Sequence, residues 1–291
     1  MPPVEAQVIE PVLAELSLCS YSPLEEEGLG EGISVEGELV WKAMYNPIDT
    51  AKEIKEKVVD GERRRYYRIS RPGMWYGGIA TADCCGCNLK CIFCWSNFPR
   101  DNPDKCGRFF APEEIFYSLI SCARRKGYQQ LRISGNEVTI AKEHLLKLLK
   151  LVEKTDFRFI IETNGTLIDN DYAKELSGFK NAYVRISFKG TNPEEFSMLT
   201  GAIPEGFNLQ LAAMENLLHY GVKSWASVVV SFSPRGNLKN FRKRIKEISS
   251  KAASEIEEET IFLLPHIKKR LSEAGIKLIT YEDIDSAKAK E

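Results

Sequence analysis

Three cysteines stand within eight residues of the segment CNLKCIFCWSNF: Cys87, Cys91 and Cys94, at spacings of four and then three. A short loop with this spacing can wrap one corner of an iron–sulfur cube and supply three thiolates, leaving the fourth iron open to a small molecule. A closed zinc site or a cluster held wholly by protein wants four ligands. Zinc is the competing reading, but its ligands usually come as two separated pairs, and no second pair of that form occurs. The histidines His144, His219 and His266 sit in helical patterns far from the loop. Eight cysteines in all, four of them between 84 and 91, make poor geometry for disulfide stapling. Cys84, Cys85, Cys106 and Cys122 then read as small buried hydrophobes, with an auxiliary cluster as the alternative.

The loop needs a scaffold, and from about residue 77 the chain alternates between short β-branched runs and helical patterns. The runs are GIATADCC, QLRISG, FRFIIET, AYVRISFKG and SWASVVVSF, with KLITYED as a sixth after IFLLPHIKKRLSEAG. Strands alternating with helices imply βα units, a parallel sheet and right-handed crossovers. Chemistry in such folds gathers at the carboxyl ends of strands. The cysteine loop follows the first strand and SGNE follows the second, so both belong on one face. Pro112 and Gly127 punctuate the first helix, and Pro265 restarts the last. Residues 1–76 read as an N-terminal α+β extension or cap, 77–235 as the core, and 236–291 as C-terminal helices with the last strand. In the extension, EEEGLGEGISVEGE suggests turns around a hairpin, PIDTAKEIKEKVVDG a helix, and ERRRYYRISRPGMWYGG a basic, aromatic strand.

With these motifs in place, the sequence resembles the radical S-adenosylmethionine (radical SAM) superfamily over about residues 77–235. The resemblance implies a partial (β/α)6 barrel, a [4Fe-4S] cluster on Cys87, Cys91 and Cys94, and S-adenosyl-L-methionine on the open iron. Gly135, Asn136 and Glu137 match the Gly-Gly-Glu type motif that contacts the methionine amino group, with Asn in place of the second glycine. Asn tolerates left-handed backbone better than most residues, so the turn is expected to survive. IIETNGT is similar to the strand-three signature of pyruvate formate-lyase activating enzymes and 7-carboxy-7-deazaguanine synthase. ISFKGTNPEEFSMLTG resembles the activating enzymes' Asp-x-Lys segment, with Ser187 at the Asp position, Lys189 at the Lys, and Leu199-Thr200-Gly201 matching a later tripeptide. Phe93 and Trp95 are candidates to pack the adenine. Thr163, Asn164, Ser187 and Lys189 are candidates for the ribose, the carboxylate or the substrate. The implied chemistry is one-electron cleavage of the sulfonium to a 5'-deoxyadenosyl radical that abstracts hydrogen.

Lys and Arg number 40 against 41 Asp and Glu, so no global field recruits nucleic acid or anionic membrane. No apolar stretch approaches the ~18 residues of a membrane span, and the N-terminus does not read as a secretory signal. A cytoplasmic protein with no membrane partner is expected. Arg63, Arg64, Arg65, Arg68 and Arg71 interleave with Tyr66, Tyr67, Trp75 and Tyr76. That pattern suits RNA, but a solvated strand balanced by Glu53 to Glu62 is the simpler reading. Expected partners are an external one-electron donor of flavodoxin or ferredoxin type and a small-molecule, protein or RNA substrate. A glycyl-radical-type activase and a tRNA- or nucleoside-modifying enzyme both fit. A non-catalytic iron–sulfur electron carrier or redox sensor is the rival from another class.

Overall fold

The computed structural model describes residues 44–280. The chain runs α1 (Pro47–Val58), β1 (Val59–Asp60), β2 (Arg63–Gly73), β3 (Ile79–Cys84), α2 (Asn97–Asp101), β4 (Arg108–Phe110), α3 (Pro112–Lys126) and β5 (Gln130–Ser134). It continues α4 (Lys142–Val152), β6 (Arg158–Thr163), α5 (Asn170–Leu176), β7 (Ala182–Phe188), α6 (Pro193–Thr200), α7 (Glu205–His219) and β8 (Lys223–Val229). It ends α8 (Arg235–Ile248), α9 (Ser250–Ser254), β9 (Glu257–Glu259) and α10 (Pro265–Glu273). Helix ends follow local chemistry. The Asn46 side chain caps α1 ahead of Pro47, and Gly127 closes α3 in the left-handed region at φ 70°.

Six strands pair in parallel in the order β3-β5-β6-β7-β8-β9, the open sheet of a partial (β/α)6 barrel. The register aligns the strand ends: Asp83 pairs with Ser134, Thr163 with Ile186, and Ser187 with Ser227. β2 adds antiparallel to β3, with β4 pairing along its opposite edge and the short β1 meeting Arg63 and Arg64 on the edge that β3 continues. The helix expected in PIDTAKEIKEKVVDG and the strand expected after it are α1 and β2, whereas the hairpin proposed for EEEGLGEGISVEGE lies outside the described residues.

The sixth strand is where the sequence expectation fails. It is β9, drawn from EIEEET before the last helix. Within the described part of KLITYED, Ile279 N donates to Ser231 O at 2.7 Å without forming a strand of the sheet. Glutamates disfavour strands, but these have ionic partners waiting. Arg185 of β7 takes Glu257 at 2.7 Å and Glu259 at 3.3 Å, and Arg242 takes Glu258 at 2.5 Å.

Each central strand turns alternate residues to opposite faces. Leu131, Ile133, Phe159, Ile161, Val184, Ile186 and Phe188 pack outward against buried helix residues such as Leu119, Leu145 and Met214. Phe188 meets Phe207 and Phe241 edge-on, with centroids 6.0 and 5.0 Å apart. The inward row is polar: Thr81, Arg132, Glu162, Arg185 and Ser227 are linked by hydrogen bonds and ion pairs.

A cysteine-lined cleft at the carboxyl ends of the strands

The loop after β3 carries Cys87, Cys91 and Cys94 into a cleft of about 190 Å³. All twelve residues singled out in the sequence line it: the three cysteines, Phe93, Trp95, Gly135, Asn136, Glu137, Thr163, Asn164, Ser187 and Lys189. The aligned strand ends explain this convergence, since every one of these residues lies in or just after β3, β5, β6 or β7. Sequence reasoning missed Arg100, Glu162, Arg185 and Glu259, which line the same cleft. Period-two alternation along FRFIIET and AYVRISF would have placed Glu162 and Arg185 inside. No local signal marked Glu259.

The cysteine loop is held from both sides by arginines. Arg100 donates to the Cys91 carbonyl and Arg270, from α10, to the Cys94 carbonyl, each at 2.6 Å. Burial pushes the Cys87 thiol well above its usual range, and Glu137 and Cys91 push the same way. Burial takes Cys91 up to about 11, while Lys189 pulls it down. These thiols are therefore neutral until a cation draws off their protons, as thiolate-bound metal does. The Leu89 N–H at 3.4 Å and Asn164 Nδ2 at 3.9 Å point donors at Cys87 Sγ, the surroundings a ligating thiolate needs. Among the described residues, no three His, Cys, Asp or Glu side chains converge on a single ion. Cys85 Sγ donates to Cys106 O at 3.2 Å within a separate buried cluster, and Cys84 and Cys122 belong to the main core. The leftover cysteines are thus packed as hydrophobes.

The SGNE turn is tied to the cysteine loop in a way its sequence did not suggest. Gly135 takes φ 86°, and a Cβ there would lie 2.9 Å from Tyr67 Oη and 3.0 Å from Asp83 Cβ. Asn136, expected in the left-handed region, is not; its role is carried by the side chain. Oδ1 accepts from Gly86 N at 3.0 Å, while Nδ2 donates to Ser96 O at 3.2 Å and Gly135 O at 2.9 Å. Glu137 is 2 % exposed and accepts from Thr139 N, Thr139 Oγ1 and Thr163 Oγ1 on one oxygen and from Asn164 N on the other. Its carboxylate therefore organises the turns after β5 and β6. Asn164 bonds Asn88 Oδ1 and Thr166, fixing the TNGT turn.

At the other wall, Lys189 Nζ donates to Ser187 Oγ at 2.5 Å, and Ser187 Oγ lies 3.4 Å from Glu259 Oε2. A carboxylate from β9 thus stands beside the position where the activating enzymes' strand four carries Asp. Phe93 is buried against Phe232, with centroids 5.5 Å apart, whereas Trp95 is 46 % exposed at the rim. Deeper in, Glu162 accepts from Arg132 Nη1 and Tyr76 Oη, both at 2.8 Å, and from Ser134 Oγ at 3.1 Å. Burial alone would raise its carboxyl; Arg132, Arg185 and the Tyr76 hydrogen bond overcome this and hold it near 2.

The arginines of β2 do not form one surface. Arg63 pairs with Asp60, Arg65 donates to the carbonyls of Asp104 and Gly107, and Arg68 and Arg71 both take buried Asp83. Glu62, expected to balance them, pairs with Lys147. Arg64 is buried in the interior.

A parallel open barrel with a trio of thiols at the carboxyl ends of its strands defines an α/β protein built for a metal cofactor. Residues 83–245, more than half of the chain, match the radical SAM superfamily, and the chain belongs to it. Its members are enzymes that use a [4Fe-4S] cluster and S-adenosylmethionine. The chain is similar to the Fe-coproporphyrin III synthase of Methanosarcina barkeri, 30% identical over 145 residues, covering 47% of this chain and 33% of that protein. It is 29% identical to the pyruvate formate-lyase-activating enzyme of Clostridium pasteurianum over 167 residues, 54% of this chain and 64% of that one. With the 7-carboxy-7-deazaguanine synthase of Methanothermobacter thermautotrophicus it shares 27% over 156 residues, 50% of this chain and 58% of that protein. The chain therefore spans between a third and just under two-thirds of these relatives' lengths. Among the described residues, no helix is long and apolar enough to cross a membrane.

Proposed function

We propose that this chain is a radical SAM enzyme whose Cys87, Cys91 and Cys94 hold a [4Fe-4S] cluster and whose lumen holds a polar substrate for hydrogen abstraction. When bound, the cluster and S-adenosylmethionine supply reductive cleavage of a carbon–sulfur bond and a 5'-deoxyadenosyl radical. The single observation that carries this reading is the convergence of twelve sequence-picked residues on one cleft. With S-adenosylmethionine bound, the Gly135–Glu137 turn would hold the methionine amino group, Phe93 and Trp95 would pack the adenine, and Thr163, Asn164, Ser187 and Lys189 would serve the ribose, the carboxylate or the substrate. The walls of the cleft keep bulk water away from the reacting centre.

The substrate's polarity follows from the lumen. Glu162, Arg185, Ser187 and Glu259 offer charge and hydrogen bonds where an apolar molecule would strand ion pairs without water. Relatives whose names span a tetrapyrrole synthase, a protein activase and a nucleobase synthase leave the substrate itself open to any polar class. An external one-electron donor completes the reaction. The core assigned to 77–235 works with flanking residues on both sides.

Anaerobic reconstitution with iron and sulfide, reduction by dithionite and assay for 5'-deoxyadenosine tests the proposal. Wild-type protein should take up a cluster, change its electron paramagnetic resonance spectrum on adding S-adenosylmethionine, and release 5'-deoxyadenosine, whereas Cys91→Ala should do none of these. An iron-loaded wild-type protein whose spectrum ignores S-adenosylmethionine would leave only an electron carrier or sensor.

A further inference from the structure

Four arginines are buried among the described residues: Arg64, Arg100, Arg132 and Arg185. Three have carboxylate partners, namely Asp101, Glu162 and Glu257. Arg64, 1 % exposed, has no carboxylate partner among the described residues. Its Nη2 instead donates to three carbonyls, Cys85 at 2.7 Å, Glu137 at 3.0 Å and Gly86 at 3.4 Å, while Nε and Nη1 find no acceptor.

The three carbonyls belong to the two halves of the cofactor site. Cys85 and Gly86 lead into Cys87, and Glu137 closes the turn after β5. Glu137 N to Gly86 O at 3.1 Å and Gly86 N to Asn136 Oδ1 at 3.0 Å make the same junction from other directions. Arg64 comes from β2, outside the matched segment 83–245. An unpaired buried cation is unfavourable unless a counter-charge arrives. Three thiolates on a dicationic cube leave a net negative charge that one-electron reduction increases, and nearby charge is one lever on such a potential.

We propose that Arg64 is a positioning residue of the cofactor site: its clasp fixes the entry of the cysteine loop against the methionine-binding turn, and its buried charge favours the reduced cluster. This inference rests on the cluster reading above. Two substitutions separate its parts. Arg64→Lys keeps the charge, but its ammonium ends one bond nearer the backbone than Nη2, the nitrogen that reaches all three carbonyls. Arg64→Gln removes the charge.

The test uses reconstituted full-length protein, potentiometric titration followed by electron paramagnetic resonance, and titration of the reduced signal with S-adenosylmethionine. Arg64→Gln should lower the reduced-to-oxidised ratio at fixed potential about tenfold, which is about 59 mV for a one-electron couple. Arg64→Lys should hold the midpoint near wild type yet need at least about tenfold more S-adenosylmethionine to change the signal. Arg63→Gln, altering an exposed ion pair with Asp60 and a contact with the Phe109 ring, should match wild type in both. An unchanged midpoint in iron-loaded Arg64→Gln overturns the charge assignment, and wild-type affinity in Arg64→Lys overturns the clasp. If Arg64→Gln does not fold, the Arg64→Lys affinity alone decides. Wild-type protein that takes up no cluster would instead overturn the functional reading.

Discussion

At the scale of single residues, the cleft separates groups that are still available to a ligand from groups already committed to one another. Glu137 is the clearest committed group, since four donors meet its two oxygens in the interior. Replacing it with glutamine keeps the shape but turns an NH₂ against one of those donors. Hydrogen bonds to a buried charged group are worth about 1.5–3 kcal/mol each. We therefore expect Glu137→Gln to lose about 2–3 kcal/mol of stability, read from urea denaturation. A midpoint equal to wild type would show that the carboxylate is not the hub the geometry describes. Much at this scale was legible in the sequence, because the cysteine spacing and SGNE are local patterns. The use of Asn136 was not: its side chain bonds Gly86, fifty residues away, and backbone tolerance alone misjudged it. The Arg64 junction is hidden in the same way, inside a run of arginines that reads as surface.

Elements bring their own constraint, seen where α4 meets β2. His144 Nδ1–H donates to Glu62 O at 2.8 Å, which leaves Nε2 to accept from Tyr66 Oη–H at 2.9 Å. That arrangement needs a neutral ring. Burial lowers the imidazole to about 4, the Glu62 hydrogen bond opposes the shift and Arg64 adds to it. The folded value lies below the ordinary value of 6.5, so on acidification the unfolded chain takes up its proton first. Stability should therefore fall as pH drops from about 6.5 to about 4, by up to about 3 kcal/mol from this residue. His144→Gln should be weaker at pH 7 but flatter through that window in denaturant titrations. Equal slopes in the two proteins would place the pH dependence elsewhere. Strand β9 marks the limit of reading elements from sequence. Its glutamates carry no apolar alternation, and the arginine that makes Glu257 and Glu259 a strand stands more than seventy positions earlier.

For the molecule as a whole, the segment shared with the superfamily is not the whole site. Arg64 and Tyr76 precede residues 83–245, and Glu259 and Arg270 follow them, yet all four reach the cleft or the loop around it. The barrel is open, and its last strand is tied to β7 by charge as well as paired with β8. Arg185 spans β7 to β9 with two bonds to Glu257, one to Glu259 and one to Ser227, and Trp225 Nε1 adds another to Glu257 at 3.1 Å. Arg185 is buried but Glu257 and Glu259 are partly exposed, so removing the arginine costs less than the ~3–5 kcal/mol of a fully buried set, because water screens the carboxylates left behind. Since β9 is an edge strand, that cost is met by local opening rather than global unfolding. Arg185→Met should accelerate hydrogen exchange at the β9 amides while leaving β3, β5 and β6 protected. Adding Glu257→Gln and Glu259→Gln should restore part of the protection, because no carboxylate then remains unpaired. If β9 exchanges as slowly in Arg185→Met as in wild type, apolar contacts from Ile256 and Ile261 hold the edge.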